Sequence, residues 1–110
     1  MQRLNANTVQ RFVRDADLAV VMFGSPDSET TMTQAVEFAL AWADNSDGAQ
    51  FGYVDAFENI AAARAYGIRL LPTTLITRNG EIVAKLEGRQ PSLRIETALR
   101  AASAPHTIAA

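Results

Sequence analysis

Apolar residues fall along this chain in two rhythms. From Leu18 to Phe23 they are continuous, Leu-Ala-Val-Val-Met-Phe. That run is too short for a helix and rich in strand formers, which predicts a central strand buried on both faces. On either side, spacings of three and four take over. Val9, Phe12 and Val13 predict one apolar face on a helix over 8–14, with Asn7 placed to cap it. After the strand, Gly24, Ser25, Pro26, Asp27 and Ser28 interrupt the pattern, and a long helix is expected over about 29–45. Asp27 or Ser25 is placed to cap that helix, Pro26 suits its first position, and Glu29 meets the positive end of the macrodipole. Met32, Ala35, Val36, Ala39, Leu40 and Trp42 or Ala43 form its expected core face.

Alternation over 50–55 predicts a second strand, and an alanine-rich helix over 58–65 is closed by Tyr66-Gly67. β-branched and apolar segments at 73–77 and 81–87 flank Arg78-Asn79-Gly80, and Asn-Gly between two such runs is a strong hairpin signal. A last helix over 92–102 carries Leu93, Ile95, Leu99 and Ala102 inward and Arg94 and Arg100 outward. The order α-β-α-β-α-β-β-α predicts an α/β fold: a mixed four-stranded sheet, part parallel through helical crossovers, then an antiparallel hairpin, with helices on both faces. With no internal repeat and no linker, one domain over 1–102 and a flexible tail over 103–110 are expected.

Composition narrows the chemistry. The 110 residues are 48% hydrophobic and 20% charged, an ordinary globular balance. Ten Lys and Arg against 12 Asp and Glu leave a net charge of -2, so there is no excess of positive charge to neutralise a phosphate backbone, and nucleic-acid binding is not expected. The apolar run 18–23 falls far short of the ~20 residues that span a bilayer, and residues 1–17 carry no signal-peptide pattern, so a soluble cytoplasmic chain without membrane contact is expected. Cysteine is absent, which removes disulfides, thiolate nucleophiles and cysteine-type zinc sites. The single histidine, His106, sits in the tail, leaving no two-histidine metal site and no histidine base within the fold. No cofactor and no metal are expected.

Residues 66–83, Tyr-Gly-Ile-Arg-Leu-Leu-Pro-Thr-Thr-Leu-Ile-Thr-Arg-Asn-Gly-Glu-Ile-Val, resemble the thioredoxin family's stretch around its cis-proline and final hairpin. Val54-Asp55, Glu58-Asn59 and the helix ending in Tyr66-Gly67-Ile68-Arg69 are similar to the preceding segment of that family, and Gly88 falls where the family has a glycine. The resemblance implies a thioredoxin-like fold and a cis Leu71-Pro72 bond. It breaks at the strand-to-helix turn, where the family carries Trp-Cys-Gly-Pro-Cys. Counting back from Pro72 sets Ser28 and Thr31 at the two cysteine positions, whereas alignment on Met32 sets Asp27 and Thr30 there. Either way both thiols are missing, and thiolate attack on a disulfide sulfur has no atom to perform it. The family's buried carboxylate near the motif is replaced by Val21 or Met22. Residues 23–29 are also loosely similar to the cysteine-less thioredoxin-like accessory proteins of nickel–iron hydrogenase maturation.

These residues suggest a protein that binds an extended segment of a partner, as chaperone, assembly or maturation factor, or scaffold. The candidate partner-binding residues are Ser25, Pro26, Asp27, Ser28, Leu70, Leu71, Pro72 and Gly88. In the resembled family the residue before the cis-proline offers its backbone to a substrate strand, an arrangement in which main-chain hydrogen bonds supply the affinity. The rival reading of Pro72 is that it only shapes a strand entry. Two other functions compete: a hydrolase or transferase using a hydroxyl of the helix start at 25–31, which lacks a base, and a structural homo-oligomeric subunit. Helix capping accounts for the same hydroxyls without catalysis. Trp42 and Tyr53 are expected as core or half-buried packing, and Asp55 as the end of its strand.

Overall fold

The computed structural model describes residues 1–45 and 47–104. In chain order these form β1 (Gln2–Leu4), α1 (Val9–Asp15), β2 (Leu18–Gly24), α2 (Glu29–Ala43), β3 (Gln50–Asp55), α3 (Ile60–Ala65), β4 (Thr73–Arg78), β5 (Glu81–Glu87) and α4 (Ser92–Ser103). The continuous apolar run becomes β2, the middle strand of a sheet ordered β1-β3-β2-β4-β5. β2 runs parallel to β3 and antiparallel to β4, and β4 and β5 form the antiparallel hairpin. Asn79 and Gly80 turn that hairpin with positive φ angles of 51° and 87°, as the Asn-Gly signal requires.

β2 is buried on both sides because each face meets its own core. Val20 and Met22 pack with Phe38, Phe51, Ile76, Ile95 and Leu99 beneath α2 and α4. Val21 and Phe23 pack with Val9, Val13, Val54 and Leu75 beneath α1 and α3.

The sheet has five strands, not four. The additional one, β1, lies parallel to β3 at the edge, with Gln2 opposite Gly52 and Leu4 opposite Val54. Only Leu4 of its three residues is buried, so no alternation marks it in the sequence. Gly52 admits it: a Cβ there would stand 2.5 Å from Leu4 Cδ1.

α2 is rotated from its expected orientation. Its buried residues are Thr31, Gln34, Phe38 and Ala41, while Met32, Val36, Leu40 and Trp42 are 62%, 60%, 48% and 45% exposed. Phe38 sets the rotation by packing edge-on to Phe51, ring centroids 5.2 Å apart. Gln34 and Thr31 follow inward because each has a polar partner: Gln34 bonds the main chain of Gln90, and Thr31 Oγ1 accepts from the Ser25 N–H.

Smaller departures have similar causes. The N-cap of α1 is Thr8, not Asn7, and Thr8 Oγ1 accepts from the Asn5 N–H. α3 begins at Ile60 because Asp55 Oδ1, at the end of β3, accepts from the N–H groups of Phe57 and Glu58 and holds them in a turn. In α4, Leu93 is 68% exposed, and Ala98 joins Ile95 and Leu99 inside. His106 and most of the expected tail lie outside the described residues.

Candidate functional site

The strand-to-helix turn is held by its own hydroxyls. The Ser28 N–H donates to the Ser25 carbonyl at 3.0 Å. Ser28 is the N-cap of α2, and its Oγ accepts from the Thr31 N–H at 3.3 Å. Thr31, buried three residues on, accepts from the Ser25 N–H through Oγ1 at 3.1 Å. Capping therefore falls to Ser28, in place of the expected Asp27 or Ser25, and Pro26 stands before the cap and not at the first helical position. The capping side chain needs extended backbone, which Ser28 has at φ -92°, ψ 126°. Pro26 and Asp27 are exposed, whereas Ser25 is buried. Gly24 leaves room for this closure, since a Cβ on it would meet Thr31 Cγ2 at 2.5 Å.

Sheet register carries the second segment to the first. Phe23 stands opposite Thr73, so one step further out Gly24 and Pro72 are neighbours, and the Leu71-Pro72 peptide is cis. Hairpin pairing then adds the third segment: the Gly88 N–H donates to the Pro72 carbonyl at 2.8 Å. Gly88 has φ 81°, and a Cβ there would lie 3.8 Å from Leu70 Cδ2, so Leu70 flanks the turn. Thr73 Oγ1 donates to the Leu70 carbonyl and fixes the loop from inside. Leu70 is 50% exposed and Leu71 half-buried. Among the described residues, neither the N–H nor the C=O of Leu71 has a hydrogen-bond partner.

Two residues beside this loop carried no signal in the sequence reading. Phe57 and Ile60, 69% and 52% exposed, line a shallow cavity of about 410 Å³ with Ile68 and Leu71. They reach the surface because the Asp55 turn ends the strand just ahead of them. The electrostatics are uneven: Asp27 and Glu29 are exposed at the helix start, while Arg69, near the Leu71 end, pairs with Glu87 at 3.2 Å.

Within the turn Thr31 is buried, Ser28 is engaged as a cap, and no cysteine exists to supply a thiolate. Among the described residues, no group of three or more His, Asp or Glu side chains gathers into a metal-sized site, and no helix is long and apolar enough to cross a membrane.

A central β2 flanked by parallel β3 and antiparallel β4, helices on both faces, and a cis-proline beside the first long helix define the thioredoxin fold. The thioredoxin family model matches residues 1–101, and the chain belongs to the thioredoxin family. Solved structures agree on the fold. A thioredoxin of Malassezia sympodialis is similar at 20% identity and TM-score 0.82, covering 94% of this chain and 91% of that one. A mutant thioredoxin from Halobacterium salinarum is similar at 20% identity and TM-score 0.85, covering 97% and 93%. The zinc-bound form of human ERp44 is similar at 20% identity and TM-score 0.80, covering 94% of this chain but 31% of that one. No curated protein sequence matches.

Proposed function

We propose that this chain is a redox-inactive member of the thioredoxin family that binds an extended segment of a partner protein, as a chaperone, assembly factor or scaffold in the cytoplasm. The observation that carries this reading is the unpartnered backbone of the half-buried Leu71, beside the exposed Leu70 and the Pro72–Gly88 hydrogen bond. A strand laid there gains main-chain hydrogen bonds without needing a thiol. Leu70, Phe57 and Ile60 supply apolar contact, and Asp27 with Glu29 favours Lys or Arg at the helix end of the segment. The narrower reading, an accessory protein of hydrogenase maturation, rests on the likeness over residues 23–29.

Affinity capture from the native cell extract, run in parallel with wild-type chain, Leu71→Asp and Asp27→Lys, tests it. Leu71→Asp should lose the captured protein at all salt concentrations, and Asp27→Lys mainly at low salt, where exposed charges are least screened. Equal capture by both folded variants would move the binding face elsewhere.

A further inference from the structure

The solvent side of α2 is more apolar than its buried side. Met32, Val36 and Leu40 recur every four residues along one line of exposed surface, with the exposed Ala35, Ala39 and Ala43 beside them. At about 1.5 Å per residue the line from Met32 to Leu40 is about 12 Å long, the reach of a partner helix presenting two or three anchors. It continues sideways into a cavity of about 420 Å³, where Met32, Ala35 and Phe38 face Tyr53 of β3 and Met1 beyond β1. A contiguous apolar strip of this kind on an otherwise soluble domain marks a contact surface, and methionines on two of its sides adapt to the shape of what they meet.

The charge around the strip selects the occupant. Between Arg14 and Arg64 the sequence holds no lysine or arginine, while carboxylates recur at Asp27, Glu29, Glu37, Asp44 and Asp47. Glu37 is partly committed, its Oε1 accepting from the Ser92 N–H. Glu29 and Asp44 are exposed at the two ends of α2. Arg3 lines the cavity from β1. Two copies of α2 laid face to face would oppose Glu29 to Asp44 if antiparallel, or like to like if parallel, so self-pairing meets repulsion in both orientations. We propose that the outward face of α2 is a docking surface for a cationic amphipathic helix of a partner protein, its apolar side on Met32, Val36 and Leu40 and its Lys or Arg residues against Glu29 and Asp44.

Trp42 is the only tryptophan and stands 45% exposed on this helix, one turn from Ala39 at the edge of the apolar face, so its emission is sensitive to a helix laid across that face. The probe is a synthetic amphipathic helical peptide of leucine and lysine, with a leucine–glutamate peptide of the same pattern as comparison, titrated into the full chain. The lysine peptide should bind saturably, one per chain, with a blue shift of Trp42, and the glutamate peptide should not. The double variant Val36→Ser/Leu40→Ser should weaken binding about tenfold or more at every salt concentration, and Glu29→Gln/Asp44→Asn mainly at low salt. All four positions are exposed, so the fold should survive, which circular dichroism checks. Equal binding of the lysine peptide by the serine variant would reduce the effect to general charge attraction and overturn the proposal. A wild-type dimer in sedimentation equilibrium that the serine variant dissociates would also overturn it, giving the face to a second copy.

Discussion

The side chain of Gln34 and the main chain of Gln90 are joined in both directions: Gln34 Nε2 donates to the Gln90 carbonyl at 3.0 Å, and the Gln90 N–H donates to Gln34 Oε1. Gln34 is fully buried, and Gln90 lies two residues beyond Gly88. The pair therefore ties the inner face of α2 to the loop that presents the Gly88 turn, so the two sides of the candidate groove share one hydrogen-bonded strut. Gln34→Leu keeps the volume but strands both Gln90 groups, at roughly 1–3 kcal/mol for a buried unpaired group. A loss of about 2 kcal/mol in urea unfolding is expected. A change below about 0.5 kcal/mol would mean that water replaces the strut.

Gly24 and Thr31 form a steric pair of a different kind. A Cβ on Gly24 would come 2.5 Å from Thr31 Cγ2, so Gly24→Ala should destabilise by about 1–3 kcal/mol. Thr31→Ser removes that methyl and keeps the hydroxyl that accepts from Ser25. The double variant should recover much of the loss in thermal unfolding, and a purely additive loss would place the strain elsewhere.

With no thiol in its sequence, the chain should not reduce insulin disulfides above the buffer blank. Of the two ways to align the missing cysteines, the structure brings Ser28 and Thr31 together across the first turn of α2, whereas Asp27 and Thr30 are both exposed. Ser28→Cys/Thr31→Cys should therefore close an intramolecular disulfide under mild oxidation more readily than Asp27→Cys/Thr30→Cys. Mass spectrometry of the alkylated proteins compares the two, and the opposite order would favour the other register.

The two tyrosines report alkaline linkage. Burial raises the phenol of Tyr66 above 10.0. At Tyr53 burial again acts first, the Asp55 carboxylate pushes the value further up, and the Arg3 guanidinium pulls it partly back. The native state thus holds these protons more tightly than the unfolded chain. Their contribution to stability is complete below pH 10.0 and is lost as the pH rises through the raised native values. Phenolate absorbance should appear at higher pH in the native protein than in urea. Arg3→Gln should delay it further at Tyr53, and coincident native and unfolded titrations would contradict the assignment.

What the sequence determined by itself is the set of local features. The run 18–23 announces a strand buried on two faces because no alternation survives there, and Asn79-Gly80 announces its hairpin because only such residues accept two positive φ angles cheaply. The lack of cysteine removed thiol chemistry outright, whereas the cis Leu71-Pro72 bond was expected only through the resemblance of residues 66–83 to the thioredoxin family. Tertiary structure decided the rest. The spacing of Met32, Val36 and Leu40 describes an apolar stripe but cannot say which side of α2 the sheet lies on. Packing of Phe38 on Phe51 and the polar contacts of Thr31 and Gln34 turned the stripe outward. β1 escaped notice because a three-residue edge strand exists only by pairing with β3. The candidate site, too, depends on register: Pro72 meets Gly24 because Phe23 pairs with Thr73, and Gly88 reaches Pro72 because the hairpin folds back, contacts between residues far apart in the chain that no local pattern encodes.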